Sequence, residues 1–514
     1  MARPGFRMAA GVVSAGLALG VAEILAAFVG AETAPSQVLG STVVDHTPDG
    51  LREWAIQTFG THDKSVLYLC MTVVAVLLAA FVGAVERTDR ALGSSLLALF
   101  GLVAAGVAVE RHGISGAFAT VVGVVAGIYA LRVLTRRIDA TDIATTDGEA
   151  ARVPDGANAV RRREVLRGVA VTGGLALVAG LGGRWIGAQR ADVSGERAAV
   201  RLPEPSGPPV SLAPEADLRV PGLTPYLTGN ADFYRIDTAL ITPQVSVQDW
   251  SLRIHGMVDR EIVIRWDDLA NRQAVERPVT LACVSNPVGG DLIGNALWRG
   301  YRIDELLAEA GPHPDADMVL SHSKDGWTAG SPLAALTDGR DALLAVGMNG
   351  EPLPVSHGYP ARLVVPGLYG YVSATKWVTE LEVTRFDRAT AYWTRRGWSA
   401  YGPIKTGTRI DTPRGRASVS KGVVAIAGVA WAQHRGISAV EVQIDDGPWQ
   451  PARLSAEQSI DTWRQWVYDW NATPGRHTVS ARATDGTGAV QTAERGGVLP
   501  DGATGHPSVT FTVG

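Results

Sequence analysis

Long uncharged apolar runs fill the first third of the chain, and short alternating or broken patterns fill the rest. Four early runs, near 8–30, 66–85, 91–109 and 114–134, reach the roughly 20 residues of helix that a bilayer requires. A fifth, 165–186, is richer in glycine and only moderately apolar. A buried helix of a soluble core is the alternative for each run, but five runs without interior charge pairs favour spans. The pattern predicts an N-terminal α-helical membrane bundle of about five spans within 1–190.

Arginine orients these spans. Arg3 and Arg7 precede the first run, and Arg132, Arg136, Arg137, Arg161, Arg162, Arg163 and Arg167 crowd the segment between the fourth and fifth. Residues 31–65 instead carry Glu32, Asp45, Asp49, Glu53 and Asp63 against Arg52 and Lys64. Cytoplasmic loops collect positive charge, so odd spans are expected to run outward and everything after the fifth to be extracytoplasmic. In the outer loop, 51–59 (LREWAIQTF) is mildly amphipathic and is expected on the membrane surface. The segment 161–187 opens with RRREVLRG, in which Arg162-Arg163-Glu164-Val165-Leu166-Arg167 resembles a twin-arginine export signal. A stop-transfer charge cluster is the other reading. Export through such a signal suits a domain that folds around a cofactor before crossing.

Residues 191–222 are rich in proline and lack either apolar period, which predicts a semi-extended linker. From 223 to 405, strand patterns such as SLRIHGMV (251–258) and VTLACVSN (279–286) mix with short helix patterns such as RIDELLAEAG, where Gly311 marks the stop. That mixture predicts an α+β domain. From 406 to 514 the pattern turns to β, with turns such as DDG and TDG, and predicts an immunoglobulin-like sandwich.

The net charge of −4 offers no basic excess for nucleic acid. Two cysteines, Cys70 and Cys283, exclude a disulfide scaffold, a four-cysteine zinc site and a self-contained iron–sulfur cluster. Cys283 lies outside the apolar runs, where a strand breaks into Ser285-Asn286-Pro287 and Gly289-Gly290. Such a thiol is either a buried structural cysteine or a ligand for a soft metal.

Five strings occur in one order: NADFYRIDTALITPQV (230–245), TLACVSNPVGG (280–290), SKDGWTAGSPL (323–333), MNGEPLPVSHGYPARLVVPGLYGYVSATKWVTELEV (348–383) and YWTRRGWSAYGP (392–403). Together they resemble the sulfite oxidase family of molybdopterin-dependent oxidoreductases. The resemblance extends over 223–514, the β-rich tail being similar to the family's dimerisation domain. It implies Cys283 as the protein thiolate on molybdenum and Arg235, beside Phe233 and Tyr234, near the metal and an anionic substrate. It further implies His357 and Arg362 on the pterin and its phosphate, with Ala374, Thr375, Lys376 and Asp325 as additional pterin contacts. Two departures bear on the substrate. The family's FYxRxH appears as FYRID, which puts Asp237 at the histidine position. The tyrosine of RRxY is replaced by Trp398, with Tyr401 three residues on. Sulfite-type oxidation and sulfoxide reduction therefore both stay open.

No haem-attachment CxxCH motif occurs in this chain, and His46, His62 and His112 fall in loops or at the ends of runs. Electrons are accordingly expected to pass to or from a separate cytochrome or membrane redox partner. The resemblance implies a homodimer, and a membrane-tethered binding protein with an empty fold is the rival from another class.

Overall fold

The computed structural model describes residues 4–59, 63–146, 155–207 and 210–514. The chain falls into two compact units, Met1–Asp192 with Ala239–Ile241, and Val193–Thr238 with Thr242–Gly514.

In the first unit, four helices are long and apolar enough to cross a membrane: Pro4–Val29, Lys64–Val85, Leu92–Ala140 and Arg163–Ala199. The third holds both runs expected at 91–109 and 114–134. It is interrupted at Gly113, whose φ of 72° and ψ of −174° suit glycine alone. The chain doubles back there, since a Cβ added at Gly101 would approach Val124 to within 2.6 Å. Side chains gather the helix ends. Arg7 donates to the Glu86 carbonyl at 3.0 Å and pairs with Asp139. The Glu86 carboxylate accepts from Ser94 N at 2.8 Å and Ser94 Oγ at 2.6 Å, with Arg132 at 3.6 Å. At the opposite ends Arg111 pairs with Asp45, and Ser36 donates to Glu23.

Small residues let these helices touch backbone to backbone. A Cβ added at Gly11 would overlap the Ala79 carbonyl, and one at Gly183 would meet the Glu23 backbone. The amphipathic 51–59 lies in the helix Asp49–Phe59. The loop before it holds a further helix, Pro35–His46, which the pattern did not predict; Pro35 starts it, its fixed φ being suited to a first turn. The twin-arginine-like stretch lies within the helix Asp155–Ala191, but the side chains of Arg161 and Arg162 are outside the described residues.

The second unit carries mixed and antiparallel sheets. One runs Ile262–Arg265, Ser251–Gly256, Val378–Thr384, Met318–Ser323, Thr328–Pro332 in spatial order, with Ser251–Gly256 parallel to Val378–Thr384. Another pairs Val275–Ala282, Ile293–Arg302 and Leu343–Met348, to which Arg362–Val364 adds. Its core includes Phe233, Leu281, Trp298, Tyr359 and Val364. The helix Ile303–Ala310 buries Ile303, Leu306, Leu307 and Ala310 and stops at Gly311 with φ 71°, as its spacing predicts. In the tail, Gly422–Trp431 and Arg464–Ala472 belong to one sheet, and Ile437–Ile444, Gly475–Asp485 and Ser508–Val513 to a second. Ile426 and Trp466 from the first share a core with Val442, Ala481 and Phe511 from the second.

The proline-rich 191–222 does not behave as a free spacer. Ser194–Ala199 is helical, and Glu196 accepts from Ser246 Oγ at 2.6 Å, Val247 N at 2.9 Å and Tyr359 OH at 2.8 Å. Arg197 donates to the Leu353 and Pro352 carbonyls, and Leu218 N to Gln465. Proline keeps much of this segment extended, while its polar groups find partners along the second unit.

Candidate functional site

The strand Val275–Ala282 ends one residue before Cys283. Cys283 N donates to the Leu292 carbonyl at 2.9 Å, Asn286 N to the Cys283 carbonyl at 3.1 Å, and Leu292 N to Asn286 Oδ1 at 3.0 Å. This turn holds the thiol in a fixed, buried place, 9% exposed. Burial pushes the thiol pKa up, against hydrogen bonds from Ser285 and the charge of Lys376. A thiolate there calls for a compensating cation.

Three cations and a neutral imidazole act on one another here, and one of them, Lys376, acts on the thiol. Arg362, 4% exposed, donates to the carbonyls of His357 at 3.1 Å and Ala374 at 3.4 Å and lies over the Trp298 ring at 5.1 Å. Among the described residues it forms no ion pair, and burial lowers its pKa to about 10. Lys376 donates to Asp237 at 2.9 Å and to the Ser356 carbonyl at 3.2 Å. Burial lowers it to about 8, with Asp237 resisting. Arg235 Nε reaches the same Asp237 oxygen at 2.8 Å, and its Nη2 reaches Thr242 at 2.8 Å. His357 Nε2 lies 3.2 Å from the Asn230 carbonyl, its ring edge-on to Phe233. Burial, then Arg362 and Lys376, push His357 down to about 4, so it is neutral at ordinary pH. Phe233 stacks on Tyr234, whose pKa is raised by burial and by the nearby Cys283.

Thr375 exchanges a 2.6 Å hydrogen bond with Ser321, and its carbonyl accepts from Leu363 N at 2.9 Å. Asp325 accepts from Trp327 N at 3.1 Å, and burial pushes its carboxyl up, with the charge of Asp237 adding to the effect. The residues expected from the strings before 390 thus converge. Trp398 and Tyr401 belong to a second, aromatic group. Trp398 packs on Tyr371 with centroids 5.7 Å apart, while Tyr401 is 54% exposed with its ring on Phe386. Asn230, Ser356 and Trp298 are site neighbours that the residue reading passed over. Asn230 opens the FYR string, which was the available signal.

This arrangement suits a large anionic group with polar edges. Arg362 is a buried charge met by carbonyls and the Trp298 ring and by no carboxylate among the described residues, and Trp327 Nε1 is buried without a partner among those residues. Among those residues no three His, Cys, Asp or Glu side chains gather as a metal site.

The profile of the family "Oxidoreductase molybdopterin binding domain" matches residues 239–393, the range holding Cys283, Asp325, His357, Arg362 and Lys376. The uncharacterized oxidoreductase YuiH of Bacillus subtilis is 32% identical over 153 residues, covering 30% of this chain and 74% of that protein. Human mitochondrial sulfite oxidase is 30% identical over 288 residues, covering 47% of this chain and 52% of that protein. The chain thus spans about half the length of the sulfite oxidases it matches. The sulfane dehydrogenase SoxCD of Paracoccus pantotrophus is 26% identical at a TM-score of 0.48, over 52% of this chain and 75% of that one. With a buried cysteine beside an arginine, lysine and histidine cluster inside the matched range, the chain belongs to the sulfite oxidase family of molybdopterin-dependent oxidoreductases.

Proposed function

We propose that this protein is a membrane-anchored molybdenum-cofactor oxidoreductase that transfers an oxo group to or from a small sulfur compound, as sulfite oxidase does. The observation that carries this reading is Cys283, buried at a strand end with Lys376 acting on it, beside the Arg362–His357 pair. The bound cofactor would supply the two-electron oxo transfer. Cys283 would be the protein's ligand to molybdenum. Arg362 and neutral His357 would hold the pterin and its phosphate, and Lys376 and Asp325 would meet the pterin edges. Arg235, the most exposed of the three cations, would face the substrate.

Asp237 favours a second reading, sulfoxide reduction. It takes the Arg235 Nε at 2.8 Å and so offsets part of the positive field that an anion such as sulfite needs. A neutral sulfoxide makes less demand on that field.

Five spans fit the first unit when Leu92–Ala140 is counted as two, and the arginine distribution orients the second unit outward. A twin-arginine route, an immunoglobulin-like tail used for homodimerisation and a separate electron carrier complete the proposal. Molybdenum analysis of the full chain, purified from a host that makes the cofactor, tests the reading. About one molybdenum per chain is expected, and a metal-free but folded product would leave the membrane-tethered binding protein as the reading.

A further inference from the structure

The strand Val275–Ala282, which leads into Cys283, lies at the edge of its sheet and pairs with Ile293–Arg302 on its inner side. The outer side of an edge strand presents backbone N–H and C=O groups that its own sheet cannot satisfy. Residues of the tail meet them at Thr280. Thr280 N donates to the Asp461 carbonyl at 3.0 Å, and the Thr280 carbonyl accepts from Gln433 Nε2 at 3.0 Å. The Thr280 hydroxyl donates to Asn295 Oδ1 at 3.0 Å and accepts from Trp463 N at 2.8 Å. Trp463 Nε1 and Asn295 Nδ2 both donate to the Tyr226 carbonyl at 2.9 Å. Thr280, Asn295 and Gln433 are 0% exposed. A slip of the strand would leave several of these buried groups unpaired, so the network fixes one register. Pro278 shares the outward parity of Thr280 and has no N–H to place on that side.

We propose that the tail is a working part of the candidate site, with Gln433, Asp461 and Trp463 as positioning residues that set where the Cys283 thiol stands. They grip the strand three residues before Cys283, about 10 Å along an extended chain. All three lie outside the residues 239–393 that match the molybdopterin-binding family. The inference rests on the reading of Cys283 as the metal ligand, and the test separates the two.

Full-length Cys70→Ser protein, in which Cys283 is the remaining thiol, is purified without cofactor and treated with a thiol-specific disulfide reagent. Gln433→Met should speed the labelling of Cys283 about tenfold, the scale of one buried hydrogen bond lost. Thr280→Val should act in the same sense, whereas Thr280→Ser keeps the hydroxyl and should label like the parent. Val479→Ala, in the second sheet of the tail core, should lower the unfolding midpoint but leave labelling within about twofold of the parent. Parent-rate labelling in Gln433→Met, or in Thr280→Val should the first not fold, overturns the proposal. Val479→Ala labelling as fast as Gln433→Met also overturns it, because the tail would then act through overall stability alone. The ligand reading has its own readout. A thiol bound to metal should resist the reagent, so a cofactor-loaded parent that labels at the cofactor-free rate defeats Cys283 as ligand, while the ratios among the cofactor-free variants decide the grip on Thr280.

Discussion

Lys376 Nζ and Asp237 Oδ2 lie 2.9 Å apart with side chains only 11% and 6% exposed, and the same oxygen takes Arg235 Nε at 2.8 Å. One carboxylate thus serves two cations of the candidate site. Replacing Asp237 by Asn should free Arg235 for an anion. Sulfite kcat/KM is expected to rise roughly tenfold, from the scale of one charge-assisted contact, while a neutral sulfoxide responds little. Arg235→Met should act in the opposite sense, lowering anion turnover at least about tenfold. Steady-state assays on both substrate types decide it. Equal losses with both substrates in Asp237→Asn would mean that Asp237 holds the cofactor instead.

Cys283→Ser should abolish turnover with any substrate. A serine oxygen is a poor ligand for a soft metal, whereas its burial costs only about 1–3 kcal/mol. Circular dichroism should match the parent. Parent-level activity in the variant would refute the ligand assignment.

Asp485 contributes to the acid stability of the tail. Burial alone would raise its carboxyl, but bonds from Thr487, Arg435 and Thr406 outweigh that and hold it at about 2, below the ordinary 3.8. A depressed carboxylate stabilises the fold fully above the unfolded value and loses that contribution as pH falls through the folded one. Asp485→Asn should therefore lower unfolding free energy by about 2 kcal/mol at pH 7 and by little near pH 2. Denaturant titrations at the two pH values measure it.

Gly11→Val should disrupt the helical unit, since a side chain there overlaps the Ala79 carbonyl. Overpacking of this kind costs about 1–3 kcal/mol or more. Gly106→Val, in open space, is the matched control. Thermal unfolding in detergent should separate the two variants, and equal midpoints would contradict the close helix contact.

If Arg162 and Arg163 act as an export signal, changing both to Lys should leave the second unit protease-protected on the cytoplasmic side. The earlier spans should still insert. Normal external exposure of the double variant would reduce the pair to a topology signal.

Residue order alone determined what depends on neighbours in sequence. The apolar runs, the Gly311 stop and the strand that breaks after Ala282 all follow from local period and turn chemistry, and the five ordered strings carried the family. Tertiary structure decided what depends on distant partners. Lys376 and Asp237 are 139 residues apart in the chain, and Tyr359 and Glu196 are 163 apart. No periodicity encodes such pairs, so neither the shared Asp237 carboxylate nor the docking of the proline-rich 191–222 followed from composition. Proline sets the backbone of that segment, but only the sheet edges and side chains it meets decide whether its polar groups face water or protein.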